Sequence, residues 1–146
     1  MVTADLFESG YSYESYRKLI DELLTEDKTT GDNHSEDYLN YTKMNVQRMN
    51  RLDKTIDLSD ELESKLKDLP CRLNWLVLTE AWCGDAAQNV PILAKIAAQS
   101  ENINLRLFLR DEHLAIMDQY LTNGGRAIPK LIVFDEQFNE LATWGP

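Results

Sequence analysis

The sequence predicts an α/β fold in which helices flank a central mixed sheet of about four strands. An almost continuously apolar run of strand length begins at residue 73, as expected for a strand that is covered on both faces. Helical and strand patterns alternate after it, which is typical of parallel strands joined by right-handed crossovers. The first seventy residues, in contrast, carry helical patterns alone.

Residues 1–57 are predicted to form an N-terminal helical extension. Residues 13–25 (YESYRKLIDELLT) repeat apolar side chains at helical spacing, and KTTGDN then breaks the pattern. Ser35 is a suitable N-cap for the next helix. The apolar residues that we expect on its buried side are Tyr38, Tyr41, Met44, Met49 and Leu52. The tyrosines of the extension are expected to pack it onto the domain, and a partner-binding surface is the alternative.

Residues 58–146 are predicted to form the main domain. A helix over DLSDELESKLKDLP carries one leucine stripe and is stopped by Pro70. The strand LNWLVLTE (73–80) follows, and residues 84–99 then form a helix that Pro91 should kink.

The second half of this domain is predicted to complete the sheet. INLRLFL (103–109) is the next strand. Residues 111–125 are expected to form a helix with Asp111 as its cap and Asn123-Gly124-Gly125 as its stop. The remaining segment, 128–144, is predicted to be an antiparallel hairpin. The two helical crossovers predict parallel pairing of the first strands, with the hairpin at one edge.

Composition and charge narrow the class of protein. With 146 residues, 43% hydrophobic and 27% charged, the chain resembles a soluble globular protein. A net charge of −10 argues against nucleic-acid binding, because contact with the phosphate backbone requires clustered Lys and Arg. No apolar run approaches the roughly 20 residues that span a bilayer, and the N-terminus is unlike a secretory signal. We therefore expect a cytoplasmic protein that binds neither nucleic acid nor a membrane.

The two cysteines, Cys71 and Cys83, are predicted not to form a disulfide. A strand over 73–80 would span roughly 26 Å at ~3.3 Å per residue, whereas bridged Cα atoms lie within ~7 Å. Cys71, just before the strand, is interpreted as a structural or incidental thiol. His34 and His113 lack the spacing of metal ligands, so we predict neither a metal nor a cofactor.

Cys83 is the candidate reactive residue. It lies in WCGDA (82–86), where a buried strand passes into a helix, and open α/β sheets place their chemistry at that end of their strands. The helix start should lower the thiol pKa from about 8.5, while the neighbouring carboxylate of Asp85 opposes this, so we expect a modestly lowered pKa. A buried inert thiol is the alternative.

Four segments together resemble thioredoxins: the strand LNWLVLTEA, the motif WCGDA, Pro91 eight positions after Cys83, and RAIPKLIVF. The resemblance covers residues 58–146 and implies a thioredoxin-like fold. In that family an Ile-Pro pair with a cis peptide bond lies beside the reactive cysteine, and Ile128-Pro129 matches this pair. The residues that the resemblance implies at the substrate site, besides Cys83, are Trp82, Gly84, Asp85, Arg126, Ile128 and Pro129.

Two of these residues have alternative interpretations. Trp82 fits core packing as well as a site wall, and Asp85 fits a helix-start acid better than a proton-transfer group.

WCGDA with LFLRDE, DQYLTNGG and WGP is similar to a bacterial thioredoxin-like subfamily. Members of that subfamily often carry Ala in place of the second cysteine.

The chain departs from thioredoxins in three ways. Ala86 replaces the resolving cysteine, and Val77 stands where thioredoxins have a buried acid that assists proton transfer. The favoured interpretation of Glu80 is an ordinary strand-end carboxylate. The alternative is that Glu80 substitutes for the missing buried acid. The C-terminal helix of thioredoxins has no counterpart after the hairpin, which implies either a truncation or N-terminal helices that cover the same face.

These features predict a thioredoxin-like protein of thiol and redox homeostasis. Cys83 would act as a monothiol nucleophile that forms mixed disulfides with a protein or small-molecule substrate, and an external thiol reductant would resolve them. The alternative is a non-catalytic module that binds a peptide or a partner protein beside Pro129.

Overall fold

The computed structural model describes residues 1–146, and helices and strands alternate after the first four helices. The helices are α1 (Ala4–Glu8), α2 (Tyr13–Thr25), α3 (Glu36–Thr55), α4 (Asp60–Lys67), α5 (Gly84–Ala98) and α6 (Leu114–Met117). The strands are β1 (Leu73–Thr79), β2 (Ile103–Leu109), β3 (Lys130–Phe134) and β4 (Glu140–Trp144). Ser35 caps α3 as predicted, and α5 continues through Pro91.

The four strands form one mixed sheet in the order β2-β1-β3-β4, which confirms the predicted fold class. β1 pairs in parallel with β2 and antiparallel with β3, and β4 pairs antiparallel with β3. β1 therefore lies between two neighbours, and its last residues are fully buried. This position explains the nearly continuous apolar run of its sequence.

The prediction of a helix over residues 111–125 is wrong. The chain forms a 3-10 turn at Arg110–Glu112 and then the four residues of α6. Asp111 caps no helix, because its carboxylate accepts a hydrogen bond from the Arg110 guanidinium at 2.9 Å. Asn123 and Gly124 have positive φ angles of 51° and 79° and form a two-residue turn closed by hydrogen bonds between Thr122 and Gly125. Asn-Gly favours such turns as well as helix ends, and here the turn forms.

Because this helix is so short, only the first crossover produces parallel strands. Four helical residues cannot carry the chain back across the sheet, so the segment after β2 stays at the carboxyl end of β1. β3 therefore starts beside the end of β1 and runs in the opposite direction. The predicted second parallel crossover is corrected accordingly.

Helices cover both faces of the sheet. One face packs against α2, α3 and α5, and the other packs against α1 and α6. The first core includes Tyr16, Ile20, Met49, Val77, Ala87, Val90, Leu107 and Leu131. The second includes Phe7, Leu76, Leu78, Phe108, Met117 and Ile132. The leucine stripe of α4 forms a smaller cluster with Ala97 and Ile103, as its spacing predicts.

The buried side of α3 differs from the prediction. Tyr41 and Met44 are each 48% exposed, whereas the polar residues Thr42 and Asn45 are almost completely buried. Both polar side chains have partners: the Thr42 hydroxyl bonds with the Thr29 hydroxyl at 2.6 Å, and the Asn45 amide bonds with a backbone carbonyl. The buried face of α3 is therefore the one whose polar side chains bond with buried backbone and hydroxyl groups. The pattern of apolar residues does not reveal this face.

β4 is the least covered element. All five of its residues are exposed, including Leu141 and Trp144.

Cys71 and Cys83 are both free thiols. None of the helices is long and apolar enough to cross a membrane.

Candidate functional site

Cys83 is the N-cap of α5, directly after the turn that follows β1. Its Sγ accepts a hydrogen bond from the Ala86 N–H at 3.4 Å and donates one to the Ile128 carbonyl at 3.7 Å. Its backbone N–H donates to the Glu80 carbonyl at 3.2 Å, which tightens the turn. Cys83 is half-buried, and the Ala86 N–H is directed at its sulfur.

The segment before β3 forms one side of the site. Ile128 and Pro129 are buried, and the peptide bond between them is cis. Pro129 also borders a cavity of about 220 Å³ whose other lining residues include Asp85 and Trp144. Gly145 closes that cavity with a φ of 136°, and a Cβ there would lie 2.5 Å from the Pro129 carbonyl oxygen. Only glycine fits this close approach.

Residues of the N-terminal segment form the other side of the site. The Thr30 hydroxyl accepts from the Ala81 N–H at 2.9 Å, and the Asn45 amide nitrogen donates to the Ala81 carbonyl at 3.0 Å. Arg48 Nη1 donates to Asn45 Oδ1 at 3.0 Å and lies 3.5 Å from the point where a Cβ on Gly84 would sit. Both buried backbone groups of Ala81 are therefore satisfied by side chains from the loop before α3 and from α3 itself.

Trp82 lies between groups from both sides. Its ring is 5.2 Å from the ring of Tyr38 and 5.0 Å from the guanidinium carbon of Arg110, measured to the Trp82 ring centroid. Arg110 also donates to the Arg126 carbonyl at 3.1 Å. Trp82 is half-buried, so it combines packing with an exposed surface beside Cys83.

Glu80 is buried three residues before Cys83, with a relative exposure of 1%. Its Oε2 accepts the Asp111 N–H at 3.1 Å, whereas its Oε1 has no hydrogen bond of good geometry. Burial raises the pKa of this carboxyl, although the Thr30 hydroxyl and the Asp111 N–H oppose the rise. Val77, in comparison, is fully buried among apolar residues.

Burial also raises the pKa of the Cys83 thiol. The N–H groups of Ala86 and Asp85 and the charge of Arg110 lower this pKa, and the Asp85 carboxylate raises it. The predicted modest lowering is thus wrong, because removal of the sulfur from water outweighs the helix start.

The other residues of the predicted site are less closely placed around the sulfur. Gly84 is the first residue of α5, and Asp85 is exposed in its first turn. The Arg126 guanidinium binds Asp118 through hydrogen bonds of 2.8 and 3.1 Å, so this charge is paired with a carboxylate. The structure contains no group of three or more His, Cys, Asp or Glu side chains that could hold a metal ion.

Sequence reasoning missed the contributions of Thr30, Asn45, Arg48 and Arg110. The first three lie more than thirty residues before Cys83, in a segment that was interpreted as an extension. Their types are ordinary for a loop or a helix surface, so no local pattern distinguishes them. Arg110, next to β2, belongs to the LFLRDE segment of the resemblance.

A cysteine between a central strand and a helix, opposite a proline that precedes an antiparallel strand, defines a thioredoxin-like α/β protein. The family model described as Thioredoxin matches residues 31–146, and the chain therefore belongs to the thioredoxin family. The match includes all of α3 and begins one residue after Thr30. No curated protein matches the sequence.

Two solved structures share the fold. A protein of unknown function from Pseudomonas aeruginosa is 22% identical with a TM-score of 0.67, and 99% of this chain covers 76% of that one. An HIV epitope-scaffold is also 22% identical, with a TM-score of 0.68 and the same coverage of 99% and 76%. At this identity the similarity concerns the fold alone.

Proposed function

We propose that this protein carries out thiol–disulfide exchange through Cys83 as a single nucleophilic thiol, within the thiol homeostasis of the cytoplasm. The observation that carries the proposal is the position of Sγ: it caps α5, accepts the Ala86 N–H and remains half-exposed. A hydrogen bond to sulfur favours the thiolate, both when it attacks and when it leaves. Membership of the thioredoxin family supports redox chemistry at this position.

The exchange balances without a second cysteine in the motif. The Cys83 thiolate attacks one sulfur of a substrate disulfide, forms a mixed disulfide and releases the other substrate sulfur as a thiolate. Ala86 offers no thiol to resolve it. An external thiolate then attacks the substrate sulfur, which frees Cys83 and leaves the reductant joined to the substrate. With WCGDA as its motif, we place the chain in the bacterial subfamily that carries this alanine.

A raised thiol pKa slows this reaction but does not prevent it. Each unit of increase reduces the thiolate fraction at neutral pH about tenfold, while the intrinsic nucleophilicity of the thiolate rises about threefold. The net loss is therefore only about threefold per unit. A thiolate of higher pKa is also a poorer leaving group, so mixed disulfides at Cys83 should persist until a reductant arrives.

The test is to incubate the reduced protein with a small disulfide and to identify the adduct by mass spectrometry. We expect an adduct at Cys83 that glutathione removes, both in the unmodified protein and in Cys71→Ser. Cys83→Ser should lose this adduct and still fold, because serine is a good N-cap. Cys71→Ser is the matched control, since the exposed thiol of Cys71 can also react and lies at the opposite end of β1. An adduct that persists in Cys83→Ser and disappears in Cys71→Ser would contradict the proposal.

The second candidate function is a binding module without turnover, and the raised pKa of Cys83 favours it. In that case the surface beside Pro129 would hold an extended peptide through its main chain. Binding of partner proteins that is equal in the unmodified protein and in Cys83→Ser, under reducing conditions, would support this alternative over exchange.

A further inference from the structure

One flank of α3 borders the reactive cysteine. Tyr41, Met44 and Arg48 are spaced i, i+3 and i+7, so they lie on one side of the helix. Arg48 lies against Gly84, 3.5 Å from the point where its Cβ would be. Tyr41 packs on Tyr38 with ring centroids 5.7 Å apart, and Tyr38 in turn packs on Trp82. The flank therefore continues the surface that surrounds Cys83.

The α3 flank (Tyr41, Met44 and Arg48) combines apolar exposure with an unpaired positive charge. Tyr41 and Met44 are each 48% exposed, although large apolar side chains usually face the core. Arg48 forms no ion pair, and its one side-chain hydrogen bond goes to Asn45. In a chain with 25 acidic residues and a net charge of −10, Arg48 places beside the nucleophile a positive charge that an acidic side chain of a ligand can pair with.

The surroundings of Cys83 favour a polypeptide over a small molecule. Cys83 lines none of the main cavities of the protein, so a ligand at the sulfur lies on an open surface. Small ligands usually occupy enclosed pockets that bury most of their surface. A peptide, in contrast, can bury exposed apolar side chains along a helix flank while its cysteine reaches Sγ.

We propose that the α3 flank binds substrate polypeptides that carry an apolar and an acidic side chain near their reactive cysteine. Tyr41 and Met44 contact the apolar side chain, and Arg48 pairs with the acidic one. This inference rests on the proposed function, because the peptide must be attacked by Cys83. Substrate selection is thereby assigned to the N-terminal segment, which lies outside the WCGDA motif that contains Cys83.

The test uses the Cys71→Ser protein, because the exposed Cys71 thiol would also react, and peptides whose cysteine carries a thiopyridyl group, so that attack by Cys83 releases a chromophore and leaves a protein–peptide disulfide. Three peptides differ only in the flanking charge: acidic, neutral or basic. We expect the acidic peptide to react fastest, and Arg48→Gln should reduce its rate constant about fivefold, the scale of one exposed charge pair. Tyr41→Ser with Met44→Ser should slow all three peptides.

Matched variants control for charge and apolarity. Lys43→Gln removes a positive charge from the opposite, exposed side of α3, and Leu141→Ser removes an exposed apolar side chain from β4. Neither should change the rates or the charge preference. Equal rates for the three peptides, or α3 variants that match these controls, would overturn the proposal.

Small disulfides separate this proposal from the proposed function. The variant with Tyr41→Ser and Met44→Ser should react normally with neutral dithiodipyridine, which has no side chain for them to contact, and Arg48→Gln should lose no more rate with this uncharged reagent than with the neutral peptide. Failure of the Cys71→Ser protein to react with it would overturn both proposals. A charge preference that appears with glutathione disulfide, depends on Arg48 and ignores Tyr41 and Met44 would replace the peptide with a small anionic thiol.

Discussion

The two sides of Cys83 are built in different ways. On one side, the proline wall (Arg110, Ile128 and Pro129) touches the sulfur directly, through the Ile128 carbonyl. On the other, the N-terminal wall (Thr30, Asn45 and Arg48) binds the backbone at Ala81 and covers Gly84. The difference indicates separate roles: the N-terminal wall holds the turn in place, while the proline wall and the nearby charges set the chemistry of the thiol.

The substitution with the largest expected effect on stability is Asn45→Ala, which tests whether the N-terminal wall holds the turn in place. Asn45→Ala leaves the buried Ala81 carbonyl without its donor and removes the acceptor of Arg48. We expect a loss of about 2–3 kcal/mol in the free energy of unfolding, measured in urea. Asn40→Ala is the matched control on the exposed side of α3, where the side chain makes no hydrogen bond, and it should cost less than about 0.5 kcal/mol. Equal losses in the two variants would break the division.

A smaller loss is expected at the other support of Ala81. Thr30→Val keeps the shape of the side chain but removes the hydroxyl that accepts the Ala81 N–H at 2.9 Å. The buried N–H then has no acceptor, and stability should fall by about 1–2 kcal/mol. Thr25→Val at the exposed end of α2 provides the control. An unchanged unfolding midpoint for Thr30→Val would show that the N-terminal wall does not hold the turn.

Glu80 connects the two walls, and its replacement should stabilise the protein at neutral pH. Its pKa is higher in the folded state, so the folded protein binds more protons than the unfolded chain. Stability therefore falls as the pH rises from about 4.3 through the folded-state pKa. Glu80→Gln cannot ionise and keeps an acceptor for the Asp111 N–H. We expect a gain of about 1 kcal/mol at pH 7 that disappears near pH 4.

A gain that is the same at pH 4 and pH 7 would contradict this explanation, because only the ionised carboxylate has an unfavourable free energy in the buried site. Urea unfolding of both proteins at several pH values is the measurement.

The smallest effects concern the charges beside the thiol, and they should have opposite signs. Arg110 lowers the pKa of Cys83 and Asp85 raises it. Arg110→Gln should therefore slow alkylation of Cys83 at pH 7, and Asp85→Asn should accelerate it, each by about twofold, since solvent weakens both interactions. Neither change should be accompanied by a large loss of stability. Changes of the same sign would contradict the role given to these charges.

Apart from Arg110, the proline wall could be predicted from the sequence, whereas the N-terminal wall could not. In thioredoxins a pair like Ile128-Pro129 lies beside the reactive cysteine, so this short motif locates the wall. The apolar run of β1 locates the end of the strand where Cys83 lies. Thr30 and Asn45 act through single polar contacts across more than thirty residues of chain, and such contacts leave no periodic signal. The apolar pattern of α3 even favoured Tyr41 and Met44 as buried residues, because it cannot register a hydrogen bond to Ala81.

The region after β2 was mispredicted for a related reason. Asn123-Gly124 is compatible with a helix end and with a two-residue turn, and local sequence does not distinguish them. In the structure the turn is closed by the hydrogen bonds between Thr122 and Gly125, and the ion pair between Arg126 and Asp118 lies beside it. The pKa of Cys83 was likewise misjudged, because the burial of the sulfur depends on both walls together.

The decisive measurement is the pH dependence of the reaction between Cys83 and a small neutral disulfide, in a Cys71→Ser background. If Cys83 is a half-buried nucleophile, its rate constant should rise about tenfold per pH unit and reach a plateau only above the ordinary cysteine pKa of about 8.5. An absence of reaction even above that pH would contradict a nucleophilic role. A plateau well below it would contradict the dominance of burial over the start of α5.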